Sequence, residues 1–482
     1  MTKKNERTDW KILLGVGVLL LIVGMGSYFL FLSNPSKIIE IRDDAPWYFP
    51  AVLEIEPGTT VKWTTNLPAV HPVMALEGPE EIHSGHFTKE FVHTFSKPGI
   101  YVYICPIHPY MKGVIGVGMK IPPEKIPIWN NWPLEAKSPP GELPLISGEG
   151  KIWMDAQFEK VPGNKEPGAI YVINAETWEI EKIITDSRLN NPHNIIPFGD
   201  KMLQTNWFDQ YLSVIDQATG KIVNHVLVGE SPAHVMPGMN GEKIYVTLQG
   251  DDGIAILDKQ FNLLEKVRAP KGPHGHMMSG DGKRMAVAST EKAEISVWDL
   301  ETNKIIFSAP LYVDDSHTVM DEEGKEHTHT LPLMAGMTLD GKFAYAATSN
   351  EGIFYVFDVD NKTLVKSFEI GKGPIQVGLS PDGKYVVVPL TYDAAAAIIS
   401  TETWEIVQKV PNVGLGAHGV AFGPQKGGGY YAYITNKFTT WVTVINMENF
   451  QVAGYIPLPP TAWGGQGIAV VHEGVMMNDQ NQ

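Results

Sequence analysis

Residues 232–268 read PAHVMPGMNGEKIYVTLQGDDGIAILDKQFNLLEKVR. Short apolar or alternating runs (AHVM, KIYVTL, GIAIL, LLEKV) are separated by turn signals rich in Gly, Asn and Asp, the pattern of four short strands in a row. The same unit recurs on both sides. Its second half returns as AIYVINAETWEIEKII, LSVIDQATGKIVNHVLVG, EISVWDLETNKIIFSA, FYVFDVDNKTLVKSFEIG, AAIISTETWEIVQKV and VTVINMENFQVAGYIPL. Its first half returns in segments such as PHNIIPFGDKMLQTN, GHMMSGDGKRMAVAS and PIQVGLSPDGKYVVVPL. Aligning His193, His234, Gly275, Met334, Gln376, His418 and Gln466 gives steps of 41, 41, 59, 42, 42 and 48 residues. A period near 42 with four strands per unit is the signature of a β-propeller. Seven hairpins predict seven blades over residues 150–475. The chain enters at KIWMDAQ and leaves with GIAVV, so the last blade is expected to be closed by strands from both ends.

The phrases SPDGKYVVV and NGEKIYVTL resemble the YVTN and lactonase type of seven-bladed propeller, a likeness of fold and not of function. Composition bounds the rest. The chain has 482 residues, 15 histidines, one cysteine and a formal net charge of −16. One cysteine excludes an intrachain disulfide framework, a Cys-ligated iron–sulfur cluster and covalent c-type haem. The acid excess argues against a nucleic-acid partner, whose phosphates that field would repel.

Residues 12–32 (ILLGVGVLLLIVGMGSYFLFL) carry no charge and as a helix would span about 30 Å, the thickness of a bilayer core. Lys3, Lys4, Arg7 and Lys11 precede them. The positive-inside rule then leaves residues 1–11 in the cytoplasm, 12–32 as a single-pass anchor, and both folded domains on the periplasmic or extracellular side. A cleaved signal peptide is the rival reading. Residues 38–120 alternate polar and apolar and predict a small antiparallel β domain. Residues 121–149 are proline-rich and predict a stiff, extended linker. Residues 476–482 form a tail.

The small domain carries YICPIHPYM, with Cys105, His108 and Met111 on one loop and His71 upstream after VKWTTNLPAV. A thiolate and two imidazoles with a weak axial thioether make a mononuclear blue-copper site. The competing reading is a buried structural cysteine beside unrelated histidines. The arrangement resembles the cupredoxin family, a Greek-key barrel, including the Pro-Gly-x-Tyr-x-Tyr approach to the cysteine. That resemblance implies His71, Cys105, His108 and Met111 as ligands of a type 1 copper. His83, His86 and His93 are expected to be solvated or packed.

The propeller segment holds ten histidines. His193, His234 and His418 are read at one repeat position at the start of an inner strand, His274 and His276 flank it, and His327 and His329 lead into another inner strand. Seven imidazoles from five blades would converge on one mouth of the channel, where they suit a transition metal. Each alone more often bonds a backbone carbonyl; it is the recurrence that points to a site. His317 is an alternative to His327. His225 and His472 look structural. Met236, Met277 and Met278 lie near the same register and are expected to pack, although thioether is a soft ligand for Cu(I).

Seven histidines on a seven-bladed hub, in one chain with a cupredoxin domain, resemble nitrous oxide reductase in a lactonase-type form. That likeness implies a multinuclear copper–sulfide cluster held by His193, His234, His274, His276, His327, His329 and His418, reducing nitrous oxide to dinitrogen. It also implies a homodimer. An external donor, a cytochrome or cupredoxin, would feed the mononuclear copper. Three features depart from that family. The domain order is reversed. Tyr101 stands where a second cysteine would make the entry site binuclear. None of the family's other pocket residues finds a match. A different copper enzyme acting on nitrite or a sulfur compound, or a non-catalytic copper-binding electron-transfer propeller, remain the alternatives.

Overall fold

The computed structural model describes residues 36–42, 47–65, 72–80, 82, 84, 89–105, 111–126, 138–158, 168–238, 241–311, 331–349 and 351–472, and the backbone of 318–320 and 326–328. They are all-β apart from one 3-10 turn, Pro123–Lys125. Among them no helix is long and apolar enough to cross a membrane; the expected anchor, 12–32, lies outside the described residues. The chain divides into two units, residues 1–131 and 132–482.

In the first unit two four-stranded sheets enclose one core. In one sheet, Lys37–Ile41 runs parallel to Thr59–Thr65; in the other, Val52–Ile55 runs parallel to Lys112–Val117. Strand Thr59–Thr65 shows why the sandwich forms: every second side chain is buried, as a strand with one wet face requires. Trp63 sits at the centre, edge-on to Tyr103 at 5.5 Å.

In the second unit, five four-stranded sheets and one eight-stranded sheet make seven blades among the described residues. The eight-stranded sheet is two blades joined by the parallel pair Gly275↔Met334. The innermost strands are Pro192–Phe198, Pro232–Pro237, Pro273–Met278, Pro332–Met337, Gly378–Leu379, Ala417–Pro424 and Trp463–Val471. We number the blades one to seven in that order. Each blade contacts the next around the hub and blade seven meets blade one, which closes the ring. Blade seven is built from both ends of the unit: Trp463–Val471 pairs with Lys151–Phe158, as the sequence led us to expect.

The expected linker differs from its reading. Its last residues lie along the propeller: the Trp178 indole donates to Pro144 O, the Tyr431 hydroxyl to Ile146 O, and Gly148 bridges Gln425. Proline keeps this segment extended, but its carbonyls have partners, so residues 142–149 belong to the propeller.

Candidate functional site at the propeller hub

Every inner strand carries one extra residue near its start, which leaves two consecutive residues facing one across the ladder. Pro192 pairs with Asn206 but Asn194 with Thr205. Pro232 pairs with Leu248 but Val235 with Val246. Blades three, four, six and seven repeat this. In blade five the extra residue falls between the bridge Pro374↔Leu390 and the pair Gly378↔Val387. A β-bulge re-aims side chains and disrupts the ladder locally, and here it does so at the hub seven times over.

The bulge sorts the histidines into three adjacent positions rather than one. Counting from the strand-opening residue, His193, His274 and His418 stand at the first position, His234 at the second and His276 at the third. Aligning His234 with His193 and His418 is therefore off by one residue. A bulge sends neighbouring residues to one side of the sheet, so the mixed register still converges.

A threonine fixes the bulge in blades one, two and six. The His234 amide donates to Thr247 Oγ1, and that hydroxyl donates to the carbonyl of His274 in the next blade. Thr435 accepts from the Gly419 amide and donates to Gln466 O; Thr205 accepts from the Asn194 amide and donates to Ala233 O. This is the threonine of the YVT and YIT phrases. It satisfies an amide that the bulge would orphan and ties consecutive blades at the hub. Thr247→Val, which keeps the shape and removes both bonds, is expected to cost about 1–3 kcal/mol, read as a lowered denaturant midpoint. Blade seven carries Asp155 in this place, accepting from the Gly467 amide at 2.8 Å and from Gln204 Nε2 at 3.0 Å.

The ligand atoms of His193, His234 and His274 lie within 4.8 Å of one another. All three rings are buried. His193 Nε2 approaches His274 Nε2 at 3.2 Å, and the His418 ring lies 6.2 Å from that of His193. His274 Nδ1 bonds Leu333 O at 2.8 Å. A carbonyl accepts only, so Nδ1 carries the proton and Nε2 presents its lone pair to the hub. Trp207 stacks on His193 with ring centroids 4.7 Å apart and fixes that ring's plane. His276 is buried and lines a neighbouring cavity together with His234. His327 lies in the strand Glu326–Thr328; its side chain, and His329 and His317, fall outside the described residues.

Burial comes first among the causes that hold the hub imidazoles neutral. It pushes His193, His234 and His418 well below the usual histidine range, His274 down to about 4 and His276 to about 3. The positive charge of buried Lys437 adds to the effect on His193, His274 and His418. The unfolded chain would protonate these rings near pH 6.5. Between that value and 3–4 it binds more protons than the folded chain, so stability must fall as pH falls through this window. Asp155 works the other way, because burial raises its carboxyl to about 7, but it is one group against five. The denaturant midpoint of the metal-free protein should therefore drop from pH 7.5 to pH 4.5; a flat profile would count against neutral hub imidazoles.

Three hub residues escaped the sequence reading. Trp207 and Lys437 occupy equivalent places, directly after the second strands Lys201–Asn206 and Tyr430–Asn436. Gln249 and Thr290 stand in the same place, and the Trp207 indole donates to Gln249, whose amide reaches Thr290. The signal was therefore present as a second repeat position. Asp155 gave none, since its role depends on closing the ring from both ends.

In the first unit, Cys105 follows strand Gly99–Ile104 and Met111 precedes strand Lys112–Val117. The Cys105 amide donates to Met111 O at 3.2 Å, and both side chains are buried in the one core. Buried Tyr48 lies close enough to Cys105 for that sulfur's charge to help burial raise the phenol. His71 and His108, the other two expected ligands, lie outside the described residues, as do His83 and His86. His93 contacts Glu80 at 3.4 Å and packs edge-on against Phe95. His225 bonds Ser213 and stacks on Tyr211, and His472 pairs with Glu149 at 3.0 Å. These three have structural partners.

No known protein family matches the sequence. A stretch of 211 residues is 24% identical to antigen Lp49 of Leptospira interrogans serogroup Icterohaemorrhagiae serovar copenhageni (strain Fiocruz L1-130), covering 40% of this chain and 43% of that one. The alignment thus spans less than half of that relative. Among solved structures, a candidate 6-phosphogluconolactonase from Bacteroides uniformis superposes with a TM-score of 0.51 at 18% identity, over 67% of this chain and all of that one. A functionally unknown protein from Desulfotomaculum acetoxidans gives 0.50 at 16% identity, over 67% and 99%. At such identities the likeness concerns the fold: the larger unit is a β-propeller similar to lactonase-like propellers.

Proposed function

We propose that the protein is a copper oxidoreductase that reduces nitrous oxide to dinitrogen at the propeller hub. Its electrons enter through a mononuclear copper in the N-terminal sandwich, which we read as a cupredoxin. The observation that carries this reading is the buried, neutral set His193, His234 and His274, with His418 beside it. The residues fit a metal: His274 Nε2 presents its lone pair toward His193 Nε2, 3.2 Å away, and the buried Nδ1 atoms of His193 and His418 make no hydrogen bond. A copper–sulfide centre, when bound, supplies closely spaced electrons to a substrate that is a poor ligand and an inert oxidant. The only protein thiolate is at Cys105, so sulfur in such a centre would be inorganic.

The chain's own residues orient and insulate. The Leu333 carbonyl sets the His274 tautomer, a role outer partners of metal-bound histidines commonly take. Trp207 covers His193. The reaction takes up two electrons and two protons and releases dinitrogen and water. Asp155 and Lys437 are buried titratable groups beside the cluster, each able to hold one of those protons. On this reading the folded units lie outside the cytoplasm, tethered by residues 12–32. A homodimer accepts electrons from a cytochrome or another cupredoxin.

The test is nitrous oxide consumption by anaerobically purified, copper-loaded protein with a reduced viologen as donor. Consumption that depends on hub copper is expected. A loaded hub with no turnover would leave copper binding without the proposed reaction.

A further inference from the structure

A cavity of about 70 Å³ adjoins the histidine cluster, and its wall is unusual in chemistry. Met236 of blade two, His276 and Met277 of blade three and Met334 of blade four all line it. Met277 and Met334 are almost fully buried and Met236 partly so, and the three belong to one packed group. The position of one sulfur is fixed by its neighbour. A Cβ on Gly275 would come within 2.4 Å of Met334 Sδ and 2.5 Å of Leu333 O. Residue 275 is thus a place where only glycine lets the thioether settle, between His274 and His276.

His276 supplies the independent sign of a ligand. It is 1% exposed; the carbonyls of His274 and Tyr245 lie beside the ring, but neither ring nitrogen reaches them with ordinary hydrogen-bond geometry. A buried imidazole held this loosely recovers only part of the bonds it made to water. Three thioethers share the cavity wall with it. Thioether and neutral imidazole are soft, uncharged donors that favour Cu(I) over divalent ions. An uncharged wall also penalises a monovalent cation less than a divalent one, because desolvation grows steeply with charge.

We infer that Met236, Met277, Met334 and His276 form a second, soft-metal site for Cu(I) beside the imidazole cluster. The likeness to nitrous oxide reductase implies His276 as one of seven cluster ligands; this assignment places it instead with the thioethers. It requires only the cavity and stands whether or not nitrous oxide is the substrate.

The test uses the full chain carrying Cys105→Ala and Met111→Leu, so that the two sulfur ligands expected in the first unit do not contribute, prepared without sulfide. Cu(I) is titrated against a chromophoric chelator, and the bound metal is examined by X-ray absorption. Sulfur scatterers are expected. Met277→Leu/Met334→Leu, which conserves core volume, should lose one equivalent of Cu(I) and that sulfur shell. His193→Ala/His274→Ala should keep both while losing nitrogen-bound copper. Met236→Leu alone should weaken the site, and it serves if the double methionine variant melts early. An unchanged equivalent and sulfur shell in the methionine variants would overturn the proposal. So would their loss in the His193/His274 variant. Failure of the histidine cluster to bind copper at all would show instead as no copper in the parent protein beyond the sulfur-bound equivalent, a separate outcome.

Discussion

His193→Ala/His274→Ala protein is expected to lose at least about 100-fold in nitrous oxide turnover while keeping the blue absorption of the Cys105 copper. Loss of a single outer-shell partner already costs 10–100-fold in metal affinity or activity, and this change removes two of the proposed ligands, from a set whose nitrogen atoms lie within 4.8 Å. The fold should survive. Both residues stand in bulges, and the interblade bond from Thr247 to the His274 carbonyl is kept, so the only backbone bond the change removes is the one from the His274 ring to Leu333 O. Removing buried, mutually repelling imidazoles should also weaken the acid destabilisation described above. A variant that keeps both hub copper and turnover would remove these residues from the site.

The second large effect is expected at the other end of the electron path. Cys105→Ser should abolish the blue absorption, because the strong charge-transfer colour of such a site belongs to a copper–thiolate bond. Turnover with a protein electron donor should vanish, while copper in the hub remains. Cys105 is the only cysteine in the chain, so no second thiolate can replace it. The substitution also puts a hydroxyl into a core that includes Tyr48, Trp63 and Tyr103, so a lower melting temperature should accompany the spectral loss. If donor-coupled turnover persisted at the wild-type rate, electrons would enter elsewhere.

The fold was legible because propeller strands are short, regular and repeated. Runs such as KIYVTL and YVVVPL are buried on both faces and read as apolar blocks between turn signals. The closing of blade seven by both ends could be inferred from half-units at KIWMDAQ and GIAVV. The hub was legible only in part. His193 and His418 announce themselves after Pro192 and Ala417, but a one-residue bulge cannot be seen in a repeat alignment, so His234 was placed one position early. Trp207 and Lys437 were missed because their shared place after the second strand is a second repeat position, and Asp155 because its role comes from closing the ring from both ends. The Pro-rich stretch read as a stiff, extended linker because proline content speaks of stiffness; it says nothing about whether carbonyls such as Pro144 O and Ile146 O find donors.

These points bear on function through one geometric fact. Thr205, Thr247 and Thr435 lock three of the bulges, the bulges aim the histidines, and burial keeps the imidazoles neutral. The propeller thus gathers residues some 80 positions apart, His193 and His274, into direct contact.

The measurement closest to the central claim is copper and acid-labile sulfide determined together on anaerobically purified protein. A copper-sulfide hub fed by a mononuclear entry site predicts several coppers per chain, with inorganic sulfide, of which one copper is lost in Cys105→Ser. One copper per chain and no acid-labile sulfide would contradict it.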